Sequence, residues 1–175
     1  MEQQALKACL FAEIDRRLPE FKDLLRDIIR IPTDNPPGDT VQCVAHIAEY
    51  LRSKGLPVDI YEPRPTIQSL VSYVQGDRPG RNLVLNGHLD QFPAGDPQAW
   101  SFDPYSGECR DGKILGRGVG DMKAGTVASL LCLVLVHELE IPIAGQLTAA
   151  LVADEETGGT WGAQWLLQNV PMARG

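Results

Sequence analysis

The stretch NLVLNGHLD, Asn82–Asp90, runs an apolar strand pattern directly into a histidine and places a carboxylate two residues later. A short apolar run of this kind, bounded by polar and glycine residues, reads as a buried strand. Two further acidic clusters stand at comparable junctions, GRGVGDMK at Gly116–Lys123 and LVADEETGG at Leu151–Gly159. Each follows a segment that reads as a strand or a hairpin and precedes a segment that reads as a helix. Strands alternating with helices in this way predict an α/β class, with a mixed, partly parallel sheet flanked by helices. In open sheets of that class ligands gather outside the carboxyl ends of the strands, which is where His88 and the Asp154–Glu156 cluster are expected.

Working outward, apolar residues at helical spacing over 5–30 predict an N-terminal helix, with Pro19 expected to kink or split it. Ile31–Gly38, with three prolines and a glycine, reads as a rigid loop. A helix is expected over Thr40–Lys54, stopped by Gly55. Strands are expected at Val58–Tyr61, Ser69–Gln75, Leu83–Asn86 and Gln146–Ala153. Asp111-Gly112 suits a tight hairpin. Helices are expected from about Lys123 to Glu140 and over Trp161–Asn169. No internal repeat or low-complexity tract interrupts this pattern.

Bulk properties narrow the function classes. The 175 residues suffice for one domain with a core, and 43% hydrophobic with 22% charged residues is ordinary for a folded soluble protein. A net charge of -7 argues against nucleic acid as a partner. The longest apolar run, Val127–Val136, is short for a bilayer span, and the first residues lack the charged-then-apolar pattern of a leader. A cytoplasmic protein without membrane attachment is the expectation. Four scattered cysteines form no C-x-x-C pair and read as reduced, mostly buried thiols. With only three histidines, any metal must lean on carboxylates.

His88 and Asp90 point to the same side of an extended segment. Asp90 could accept the proton of one ring nitrogen and leave the other for a metal. On its own the pair reads equally as a loop histidine beside an unrelated aspartate. Gly116–Gly120 spells G-x-G-x-G after a hairpin, which does not fit a nucleotide loop. Its glycines let backbone pass close to a crowded place and bring Asp121 inward, although an acid at a helix start is also an ordinary cap. Glu155 and Glu156, adjacent at a strand end, repel each other unless a positive group is near. One could ligate a metal while the other takes a proton from water; the alternative is a solvent-facing acidic turn.

Together, Leu85–Asp90, Trp100–Pro104, Gly116–Gly125 and Asp154–Gly159 resemble the metallopeptidase and amidohydrolase family of acetylornithine deacetylase, succinyl-diaminopimelate desuccinylase, aminoacylase and glutamate-type carboxypeptidases. The resemblance covers roughly residues 10 to 170. It implies a zinc-peptidase-like catalytic domain in which His88 binds one ion, Asp121 bridges two and Glu156 binds the second. Glu155 is then the general base and Asp90 orients His88. It further implies a cis Asp121–Met122 peptide and two zinc ions, with cobalt or manganese able to substitute. The implied reaction is hydrolysis of amide bonds in N-acyl amino acids or small peptides. Residues 1–175 then correspond to the N-terminal portion of a truncated catalytic domain. The family's lid or dimerisation domain and C-terminal catalytic half, with further ligands, lie outside them. A companion chain, or a homodimer in the full-length form, is the partner this implies, and a companion chain that supplies the missing carboxylate and histidine would favour the hydrolase. The alternative is a non-catalytic fragment that only binds a metal or a partner. His46 and His137, each inside a helical pattern, are expected to have structural or surface roles.

Overall fold

Apolar side chains at Phe21, Leu24, Leu25, Ile28 and Ile29 fall on one helical stripe, and all are buried. In the computed structural model, which describes residues 3–175, they form the inner face of helix α1, Gln3–Ile29. Pro19 lies inside this helix, which runs on unsplit, so of the two expected effects the split does not occur. Proline removes a single intrahelical hydrogen bond, and the buried stripe that follows it holds the C-terminal half in place.

Helix α2, Val41–Ser53, buries Cys43, Val44, Ile47, Ala48 and Leu51 and ends before Gly55, whose φ is +77°. A left-handed residue at this place favours glycine. Strands β1 (Val58–Arg64), β2 (Ile67–Gln75) and β3 (Arg78–His88) follow. The hairpin β4 (Glu108–Arg110) and β5 (Lys113–Leu115) turns at Asp111-Gly112, both with positive φ. Helix α3 covers Ala124–Glu138, strand β6 Ala144–Val152, and helix α4 Ala163–Asn169.

The main sheet has the order β1-β2-β6-β3. Only β3 and β6 run parallel; the β1–β2 and β2–β6 pairs are antiparallel. Along β6 the two-residue period divides the core. Leu147, Ala149 and Leu151 join the cluster formed with α1, α2 and α3, while Ala150 and Val152 face the opposite layer with Leu166 and Val170. The parallel register is the decisive feature for function. It pairs Leu83 with Leu147 and runs on to His88 opposite Val152. Both strands therefore end at the same edge, and the chain after each emerges into one place.

The helical stretch Val119–Glu138 is long and apolar enough to cross a membrane by length and composition. Its packing gives another reason for that composition: Leu130, Leu133 and Val134 lie fully buried between α1 and the sheet. Of the cysteines only Cys43 is buried; Cys9, Cys109 and Cys132 are exposed, so the expectation of mostly buried thiols is corrected. All four are free thiols. Cys9 lies on the exposed half of α1, and Cys132 on the outer side of α3, where apolar packing does not reach.

Candidate metal centre

His88 is the last residue of β3 and is buried. Its backbone carbonyl accepts a hydrogen bond from Thr126 Oγ1 at 3.1 Å, tying the strand end to the first turn of α3. Gly87 sits tightly packed beside it: a Cβ there would meet Thr126 Oγ1 at 3.0 Å and Met122 Cε at 3.3 Å. The ring Nδ1 stands 2.9 Å from the Asp90 backbone carbonyl. A carbonyl only accepts, so Nδ1 carries the proton and Nε2 is the free ligand nitrogen of the neutral ring.

Nε2 faces carboxylates from two other segments. Asp121 Oδ1 lies 2.9 Å away and Glu155 Oε2 3.7 Å away. One ligand atom each from His88, Glu155 and Glu156 can be chosen so that all lie within 4.8 Å of one another. Asp121 stands outside that tight trio yet in hydrogen-bond contact with its imidazole. It is delivered by a π-helical turn, Val119–Lys123, that departs from helical geometry at Asp121 and Met122, and the Asp121–Met122 peptide is cis, as the resemblance implies. The Asp121 side chain is 80% exposed, reaching the buried imidazole from the solvent side.

The role expected of Asp90 changes in one respect. Its carbonyl, not its carboxylate, is within hydrogen-bond distance of the ring; Oδ1 is 3.7 Å from Nδ1. The fully buried carboxylate serves the glutamates instead. It accepts the Glu155 N–H at 3.2 Å on Oδ1 and the Glu156 N–H at 3.1 Å on Oδ2. Asp90 thus holds the turn that carries both glutamates against the histidine strand. Asp154 closes the same turn from within. It adopts a left-handed φ of +66° and accepts Thr157 Oγ1 at 2.7 Å and the Trp161 N–H at 2.9 Å.

Electrostatics agree with a cation site. Burial opposes the charged imidazolium, yet hydrogen bonds to Asp90 and Asp121 outweigh it and raise His88 to about 9. Burial also raises Glu156, helped by the Asp121, Asp90 and Glu155 carboxylates and opposed by His88. For Asp90 burial acts upward, but the contacts with His88, Asn35 and the two glutamate N–H groups hold it below the usual range. An Nε2 with its lone pair toward several carboxylates is unfavourable unless a proton or a metal cation lies between them. Imidazole with clustered carboxylates is a donor set suited to zinc and related divalent ions. The residues present fit such a group.

The five predicted site residues, His88, Asp90, Asp121, Glu155 and Glu156, therefore meet at one place. His46 and His137 do not join them: His46 sits on α2 at 3.9 Å from Asp27, and His137 lies near Gly55. Sequence reasoning missed Asn35, whose Nδ2 donates to Asp90 Oδ2 at 2.7 Å and to Thr157 Oγ1 at 3.0 Å. It sits in the loop read only as rigid, and no spacing signal links it to a residue so far along the chain.

Residues 84–174, just over half of the chain, match the Peptidase_M20 family, Peptidase family M20/M25/M40. The chain is 31% identical over 152 residues to an N-formyl-4-amino-5-aminomethyl-2-methylpyrimidine deformylase of Halalkalibacterium halodurans, covering 85% of this chain and 36% of the relative. It is 33% identical over 146 residues to succinyl-diaminopimelate desuccinylase 2 of a Ruegeria species, covering 83% of this chain and 36% of the relative. Among solved structures, human carnosine dipeptidase 1 superposes with a TM-score of 0.74 at 22% identity, over 92% of this chain and 37% of that protein. The chain thus spans little more than a third of the length of these relatives. A His88 strand, an Asp121 turn and a Glu155-Glu156 loop converging in this fold, together with the family match, place the chain in the Peptidase M20 family.

Proposed function

We propose that this chain contributes a metal-dependent hydrolytic centre that cleaves amide bonds in N-acyl amino acids or small peptides. The observation that carries the reading is the single imidazole nitrogen, Nε2 of His88, faced by Asp121 and Glu155 with Glu156 beside them. His88, Asp121 and Glu156 would hold two divalent ions, zinc or in its place cobalt or manganese. When bound, such ions supply the positive charge that makes a water acidic and polarises an amide carbonyl.

The chain's own residues do the rest. Glu155, half-exposed at the rim, is positioned to accept the proton of the attacking water and to return it to the departing amine. Asp90 keeps Glu155 and Glu156 in place through their N–H groups and fixes the His88 tautomer through its carbonyl. In this reading residues 1–175 form the N-terminal portion of the catalytic domain, acting in the cytoplasm. Further ligands lie outside residues 1–175, and the full-length form has a companion chain or pairs as a homodimer. The family match and the acyl-cleaving names of the two relatives support the reaction class.

The deciding experiment follows acetate release from N-acetyl amino acids at matched zinc occupancy for wild type and Glu155→Gln. The expected result is a loss of roughly 10²-fold or more in turnover with zinc affinity retained. Equal rates in the two proteins would replace this reading with that of a non-catalytic module that binds only a metal or a partner.

A further inference from the structure

A recess of about 350 Å³ opens beside the metal centre, walled by Phe92, Pro93, Trp100, Arg117, Asp121 and Glu156. That volume suits a small ligand. Arg117 is the only cation among the lining residues, and the backbone fixes its place. Its N–H donates to the Pro104 carbonyl at 2.7 Å. On one side Gly116 packs so closely that a Cβ would lie 2.6 Å from Ile29 Cγ2, and on the other Gly118 takes a φ of +73°. The guanidinium stands 5.2 Å from the centre of the Trp100 ring. Trp100 is itself pinned, donating Nε1–H to the Ala94 carbonyl at 2.8 Å and meeting Phe102 edge-on at 5.4 Å.

A cation this firmly placed is nonetheless unmatched. Arginines on α1 pair with acids: Arg16 and Arg17 with Glu13, Arg26 with Asp23, and Arg30 with Asp27. Arg117 forms no ion pair among the described residues. Its Nε is buried with no hydrogen-bond partner. Buried donors are normally satisfied, and an exception calls for an explanation. Asp121 and Glu156 line the same recess but do not pair with it; Asp121 bonds His88 instead.

We propose that Arg117 anchors a carboxylate of the substrate. Phe92 and Trp100 form the apolar walls for the carbon skeleton that joins this carboxylate to the amide at the metal centre. The planar guanidinium fork matches a carboxylate in a way that a lysine does not. The inference deepens the proposed function and rests on it: the preferred substrates are amides that carry an anionic group.

The test measures binding of three probes by calorimetry, with and without zinc. N-acetyl-L-methionine carries its carboxylate on the amine side, N-succinyl-L-methioninamide on the acyl side, and N-acetyl-L-methioninamide carries none. Wild type is expected to prefer one of the two anionic probes over the neutral one by about tenfold or more, a preference worth about 1.4 kcal/mol. R117Q is expected to lose that preference while binding the neutral probe as wild type does, and R117K to keep part of it. The ratio between probes is insensitive to the fraction of folded protein, so a partly unfolded variant still gives an answer. The inference is overturned if wild type shows no preference, or if R117Q keeps it in full. Zinc titration of the same proteins tests the metal centre separately: failure of wild type to bind zinc strikes at the centre, whereas lost discrimination with unchanged zinc affinity concerns Arg117 alone.

Discussion

Asp90 and Asn35 meet in the interior, with Asn35 Nδ2 donating to Asp90 Oδ2 at 2.7 Å on the same oxygen that accepts the Glu156 N–H. The contact joins the proline-rich loop, the end of β3 and the glutamate turn. A buried carboxylate without these donors would be costly; with them it becomes the rigid support of the turn.

Asp90→Asn places an amide donor where Asn35 and two backbone N–H groups already donate. The variant is expected to lose about 1–3 kcal/mol of stability and about 10–100-fold in zinc affinity. Denaturant unfolding and zinc competition titration read the two effects. Unchanged zinc affinity would show that Asp90 supports the fold alone.

His88→Ala and Asp121→Asn are each expected to weaken zinc binding by about tenfold or more, since each removes a proposed ligand. Because they face the same ion, the double variant should lose less than the sum of the two single losses in free energy. Unchanged zinc affinity in the two single variants would mean that the 2.9 Å contact between them is an ordinary ion pair that zinc does not use.

Lys123 is fully buried, and its Nζ donates to the Ile28 carbonyl at 2.8 Å and the Ile31 carbonyl at 3.1 Å. Burial lowers its pKa from 10.5 to about 8. The unfolded chain therefore holds more protons at this group between pH 8 and 10.5, so its contribution to stability rises with pH across that window and is flat below it. Lys123→Met should abolish that slope and, by leaving two carbonyls without a donor, destabilise by about 2 kcal/mol. Unfolding curves of the two proteins at pH 7 and pH 10 measure the difference. Equal pH dependence would contradict it.

Gly162 opens α4 so close to the sheet that a Cβ would stand 1.7 Å from the Ala153 carbonyl oxygen. Backbone, not a flexible side chain, blocks the space. Gly162→Ala is expected to cost on the order of 3–4 kcal/mol and to displace the Asp154–Glu156 turn. A drop in thermal midpoint together with weakened zinc binding would show both. A neutral substitution would mean that α4 can shift freely.

Local sequence patterns carried the elements, because a helical stripe such as Leu24, Leu25 and Ile28 and a short apolar run such as Leu147–Val152 are properties of neighbouring residues. They also singled out His88, Asp121, Glu155 and Glu156, each where an apolar or glycine-rich segment breaks into an acid or an imidazole, while their joint roles came from the resemblance of the combined motifs. Their meeting was decided by the parallel register of β3 against β6, a long-range pairing that no local pattern specifies. The same holds for the two uses of Asp90, carbonyl to the ring and carboxylate to the glutamate turn, and for its bond to Asn35. Arg117 is identical in the sequence whether or not it finds a partner; its unmatched charge against Trp100 exists only once loops far apart in the chain are packed together. Backbone hydrogen bonds and burial are settled by tertiary packing, and these determine which side chains remain free to act.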